Sequence, residues 1–316
     1  TTATNNTAVG HSALTANTTG GNNVAFGNNA LAANTTGGQN TAFGREALIT
    51  NITHTGNTAV GYQALRVNIA DYNVAIGNQA GLSNTSGSRL VAVGQSAAYN
   101  NTTGANNTAL GNNSLVMNTT GGENVAVGTQ CLETSTTANN NVAMGYRAMY
   151  LNTTGINNTG LGRSAMYNNT TGGSNIGIGS DALAANTTGS GNVAVGKEAL
   201  KANTTADNNT AVGRYALGAN TTGFSNTAIG KHACRQITTG DYNIGIGDSP
   251  LYATTTGNKN IGIGYCALDA NNADNNVAIG HDSLTNCNVG ANNTAVGHLS
   301  GDDITTGTNN VIIGYN

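Results

Sequence analysis

Small, apolar and polar residues return along this chain at fixed intervals. In Asn23 to Gln39, NVAFGNNALAANTTGGQ, larger apolar residues flank an alanine and a glycine follows. An Ala-Leu pair comes next, and Asn-Thr-Thr-Gly closes the segment. The pattern recurs with its glycine at Gly10, Gly27, Gly44, Gly61, Gly77 and onward to Gly314, nineteen copies in all. Sixteen of the eighteen spacings are 17 residues, and Gly61 to Gly77 and Gly264 to Gly280 are 16. So short a period in fixed register predicts a solenoid, each copy forming one coil stacked on the next. The expected fold is an all-β parallel β-solenoid or β-roll of about nineteen coils, with residues 1–316 as one continuous array. Eighteen steps of about 4.8 Å would span roughly 85 Å.

With the opening asparagine as position 1, the glycine is position 5. Position 2 is β-branched in every copy and position 4 is always a larger apolar residue. Position 3 is Ala or Gly in 18 of 19 copies, Ile312 being the exception. Positions 2 to 4 read as a short strand with 2 and 4 on one face. That places Val24 and Phe26 in the core, with Leu31 at position 9 as a second inward anchor. It turns Ala25, Ala42, Ala59 and Ala194 outward, a small-residue face that another wall of the coil, or another copy of the chain, can approach closely. Gly27, Gly44, Gly61 and Gly196 are the expected coil corners, where a missing Cβ permits unusual dihedrals. Stacking brings equivalent asparagines together, so Asn23, Asn40 and Asn57 at position 1, and Asn34 and Asn186 at position 12, are expected to form amide ladders. The Ala-Leu half has room for one helical turn at most; a second short strand with a 3₁₀ turn near position 9 is expected there. Both shortened copies lose residues from the polar turn, where a deletion leaves the strands in register.

Charge and cysteine content narrow the functions. Eleven Lys and Arg stand against 14 Asp and Glu, a net of −3, which offers no basic surface for nucleic-acid phosphates. No apolar run is long enough to span a membrane as a helix. Cys131, Cys234, Cys266 and Cys287 fall at different repeat positions, so neither a bridge nor a zinc site is implied. His11, His54, His232, His281 and His298 read as solvated residues outside any triad, and the sparse carboxylates suggest no acid–base pair. No enzyme, metal or cofactor is expected. Without atypical capping coils, the chain is expected to be a segment of a longer protein or a subunit that stacks end to end.

The repeat NTAVGxxALxxNTTGxN, plainest in Asn57 to Leu65 and Asn106 to Gly111, resembles the repeats of bacteriophage tail-fibre proteins, especially those ending in an intramolecular chaperone domain. Its strand motif, as in Asn73 to Gly77, is similar, more distantly, to the head repeats of trimeric autotransporter adhesins, whose period is shorter. The adhesin likeness implies a trimeric parallel β-roll, and both likenesses imply a surface fibre, extracellular or on a virion. The leading expectation is a structural shaft made with copies of itself. A module binding surface glycans, helped by tyrosine ranks at position 6 (Tyr62, Tyr146, Tyr265, Tyr315) and position 10 (Tyr99, Tyr150, Tyr167, Tyr252), is the alternative, as is an end-to-end filament. The position-14 threonines form a single rank, a weak basis for ice binding.

Overall fold

The computed structural model describes residues 2–315. The chain divides into two compact units, Thr1–Asn157 and Asn158–Asn316. Each is a parallel β-solenoid with one three-residue strand per coil. The first unit holds β1 (Thr7–Val9) to β9 (Val142–Met144), and the second β10 (Thr159–Leu161) to β19 (Val311–Ile313). The described residues contain no helix.

Each strand pairs in parallel with the strand one coil on, as in Thr7↔Val24, Ala8↔Ala25 and Val9↔Phe26. The shortened copies keep this register, with Thr58↔Val74 and Ile261↔Val277. In a full coil, the Gly37 carbonyl accepts the side-chain amides of Asn23 and Asn34 at 2.8 and 2.9 Å. In the first short coil, Ala70 takes over, accepting from Asn57 at 2.9 Å and Asn68 at 2.7 Å. The deletion removes loop backbone while the carbonyl that gathers the two amides is replaced in kind.

The corner glycines are required by geometry. Gly27, Gly44, Gly61 and Gly196 have φ between +132° and +139°. A Cβ on Gly27 would lie 2.6 Å from the carbonyl oxygen of Gly44 in the next coil. No side chain fits there.

The Ala-Leu half is not a second strand; near position 9 it makes a single i→i+3 turn, the Leu31 carbonyl accepting the backbone N–H of Asn34 at 3.1 Å, which does not extend into a 3₁₀ helix. It is a chain of turns with left-handed residues at positions 7 and 9, such as Asn29 (φ 58°) and Leu31 (φ 50°), and a third at position 17, such as Gln39 (φ 60°). A strand needs consecutive extended residues; a reversal of φ at alternate residues folds the chain into a narrow ribbon instead. Left-handed non-glycine residues cost about 1–3 kcal/mol each. The compensation is lateral bonding: the backbone N–H groups of Asn29, Leu31 and Gln39 donate to carbonyls of adjacent coils at 2.9, 3.1 and 3.0 Å.

The two faces of the strand are opposite to expectation. Ala25, Ala42, Ala59 and Ala194 are fully buried inside the chain, whereas Val24 and Phe26 are 41% and 45% exposed. The alanines therefore form no oligomer face; of the two neighbours expected for them, they meet the opposite wall of their own coil. The wall opposite is position 9. A Cβ on Gly177, at position 3, would lie 2.7 Å from Cγ of Met166, at position 9. On Gly262 it would lie 3.2 Å from Cγ of Leu251. The coil is so flat that only a methyl group or a hydrogen fits beneath the Leu anchor. The exceptions obey the same volume rule. Ile312, the one large residue at position 3, has its Cδ1 3.0 Å from where a Cβ on Gly301 would stand, Gly301 being one of the two glycines at position 9. Leu90 replaces the position-1 asparagine and similarly fills the space beside Gly81.

Candidate interaction surface

Polar atoms hold the half of the interior that Leu and Ala do not fill. Asn23, Asn34, Asn40, Asn57 and Asn186 are all fully buried. At position 1, the side-chain oxygen accepts the backbone N–H of its counterpart one coil on: Asn40 donates to Asn23 at 2.9 Å, and Asn57 to Asn40 at 3.0 Å. At position 12, amide donates to amide: Asn34 to Asn17 at 3.0 Å and Asn186 to Asn169 at 2.7 Å. Each amide in this second rank also donates to the carbonyl of position 15 in its own turn, as Asn186 does to Gly189 at 2.9 Å. Buried carbonyl and amide groups are thereby paired along the rank, as burial demands.

The second rank has defects, and they follow from the sequence. The side-chain oxygens of Asn118 and Asn220 are buried without partners. The position-12 residues of the following coils, Ser135 and Ile237, cannot reach them with an amide. Asn51 is the third case. The next residue of its rank, Asn68, lies in a shortened coil and donates to Ala70 but not to Asn51.

The outer surface of the sheet carries positions 2 and 4. Across all nineteen copies these two columns contain only Thr, Val, Ile, Leu, Met and Phe. In the first unit, Phe26 and Phe43 stack with ring centroids 4.7 Å apart and planes within 6°. In the second, Ile176, Val212, Ile229, Ile246 and Ile279 are all exposed. Each unit thus presents an uncharged stripe, two side chains wide, on a regular strand lattice, apolar throughout at position 4 and interspersed with threonine at position 2. Isolated exposed apolar residues are ordinary, but a contiguous stripe marks an interaction surface. The alternation was legible in the sequence; only the side facing water was misassigned.

The solvent edge at positions 6, 7 and 10 holds most of the charge. There, Glu46 sits among Gln63, Arg66 and Arg45, whose hydrogen bonds and charge hold its carboxyl below the usual carboxylate range against the opposing effect of partial burial. In the second unit, Tyr265, His281, His298 and Tyr315 make one column, with successive ring centroids 4.9, 5.0 and 5.4 Å apart. Sequence reasoning took these histidines one at a time and missed the column; their shared position 6 in successive copies was the signal. Among the described residues, no three His, Cys, Asp or Glu side chains are grouped to hold a metal, and no helix is long and apolar enough to cross a membrane.

Comparison with protein-family models and with curated proteins finds no match. The chain is a parallel β-solenoid repeat protein, and its surface is the guide to what it does.

Proposed function

We propose that this chain is a shaft segment of an extended fibre, extracellular or on a virion, in which copies associate as a homotrimer through the apolar stripe of the sheet. The observation that carries the reading is that stripe: positions 2 and 4 are uncharged in every copy, and many of their side chains remain exposed. A continuous two-column surface on a strand lattice is matched in repeat by another copy of the same lattice. Fully burying a Val, Ile or Leu side chain is worth roughly 1.5–3 kcal/mol. These are already partly covered, so about 1 kcal/mol remains for each, and it accumulates along the coils before the costs of association are subtracted. The resemblance of the repeat to tail-fibre and trimeric adhesin repeats supports the same reading.

Sedimentation equilibrium tests it. The parent chain should sediment at three times its 31.6 kDa mass. Replacing Val60, Ile76 and Val93 together by aspartate should yield a folded monomer. A parent chain that is monomeric at tens of micromolar overturns the trimer.

A further inference from the structure

On the solvent edge of the second unit, long cationic side chains flank the one glycine at position 10. Position 10 carries Lys201, Gly218 and Arg235 in three successive coils. The glycine leaves a groove of about 440 Å³, lined among others by Glu198, Lys201, Tyr215, Arg235 and Gln236. The three atoms nearest a Cβ on Gly218 would all be backbone, the closest being the Tyr215 carbonyl oxygen at 3.1 Å. A larger side chain at this position would extend from that backbone into the groove.

Charge is concentrated around this groove. Lys197, Lys201, Arg214, Lys231 and Arg235 are five of the eleven cations of the chain. Glu198 pairs with Lys201 at 3.0 Å and Lys197 at 3.6 Å, and Asp248 with Lys231 at 3.7 Å. Arg214 and Arg235 form no ion pair among the described residues. Both lie against the Tyr215 ring, their guanidinium carbons 4.8 and 5.0 Å from its centroid. Arg235 donates Nη1 to the Tyr252 hydroxyl at 2.8 Å. That contact fixes the plane and leaves the Nε–Nη2 edge for a bidentate acceptor. Neighbouring His232 reports the same field: burial first, then the charges of Arg235, Lys231 and Arg214, lower its pKa, with Asp248 opposing. In a chain of net −3, a local excess of cations at a groove of this size, with Arg235 in its lining, selects an anionic ligand large enough to fill it.

We propose that this groove binds an acidic saccharide, a hexuronate or sulfated hexose, with its carboxylate or sulfate on Arg235 and its ring in the space beside Gly218. Glu198 and Gln236 are placed to take its hydroxyl groups. The site stands independently of whether copies of the chain associate.

Titration calorimetry on the full chain tests it with three probes: a heparin-derived tetrasaccharide, a neutral maltotetraose and sodium sulfate. The acidic tetrasaccharide should bind, and raising salt from 50 to 200 mM should weaken it. Maltotetraose and sulfate should each bind at least tenfold more weakly. Arg235→Gln should weaken tetrasaccharide binding at least tenfold. Gly218→Ile, which fills the groove with a residue that position 10 already carries at Ile49, should do the same with an unchanged circular dichroism spectrum. Arg163→Gln, outside the groove, should bind as the parent does. Absence of binding, equal affinity for maltotetraose or sulfate, or full binding by Gly218→Ile would overturn the proposal.

Discussion

Replacing Ser135 by asparagine should make the first unit more stable, although the site is fully buried. The serine hydroxyl has no partner, and neither does the side-chain oxygen of Asn118 one coil before it. Asparagine fits the same backbone at position 12 of neighbouring coils, where Asn118 donates to Asn101 at 2.7 Å and Asn101 to Asn84 at 2.7 Å. The new amide would complete that rung and remove the orphan hydroxyl. An unpaired buried polar group costs about 1–3 kcal/mol. Fixing a short amide side chain returns part of that, under about 1 kcal/mol. The net expectation is a gain of about 1–3 kcal/mol, read as a higher urea midpoint at unchanged slope. The opposite perturbation calibrates it. Asn101→Ala removes the rung to Asn84, the rung from Asn118 and the bond to the Gly104 carbonyl at 2.9 Å, and should cost about 2–4 kcal/mol, more than one orphaned group. If Ser135→Asn is no more stable than the parent while Asn101→Ala is clearly weaker, the defect at Asn118 carries no energetic cost and the reasoning fails.

Two further expectations concern the interior. Ala59→Leu should cost about 1–3 kcal/mol or more by overpacking, whereas Val60→Leu, on the outer side of the same strand, should stay within about 0.5 kcal/mol; equal tolerance in thermal melts would mean the faces are assigned wrongly. Burial pushes the Cys131 thiol up to about 12 and raises that of Cys234 further. Their contribution to stability is thus fully present below the ordinary thiol pKa of roughly 8.5 and is lost as pH rises from there toward the folded value. Urea midpoints should fall from about pH 9 upward, and less so in Cys131→Ala; a midpoint flat to pH 11 in the parent refutes this.

Much of the coil was legible because stacking imposes one environment on each repeat position. The glycine spacing gave the strands and their register, and Asn23 and Asn34 gave the ladders, since a polar residue repeated in a stack meets its own kind. Alternation gave two faces at Val24-Ala25-Phe26 without saying which faced water. Size decides that, and the decisive size lies at Leu31, on the opposite wall. The pair Ile312 and Gly301, large for small and small for large, carried this information. The left-handed backbone at Glu46, Leu48, Arg147 or Tyr215 was not legible, because none of these residues favours it. Lateral bonds to neighbouring coils impose it, and local preference has no part in them.

The lateral bonding has a consequence for how such a chain comes to be folded. Backbone bonds between coils join residues 15 to 18 apart, whichever coil they lie in. Closing one coil therefore closes a loop of the same size every time, and loop entropy depends only on that size. In an ordinary β-sandwich, lengthening the chain lengthens its contacts and slows folding. Here the sequence separation of a contact is set by the period alone. Synthesis at roughly 5–20 residues per second delivers one 17-residue coil every one to three seconds, each able to dock on the coil before it while the rest is still being made. Adding copies by duplication of the repeat lengthens the solenoid without making any single step of its folding harder.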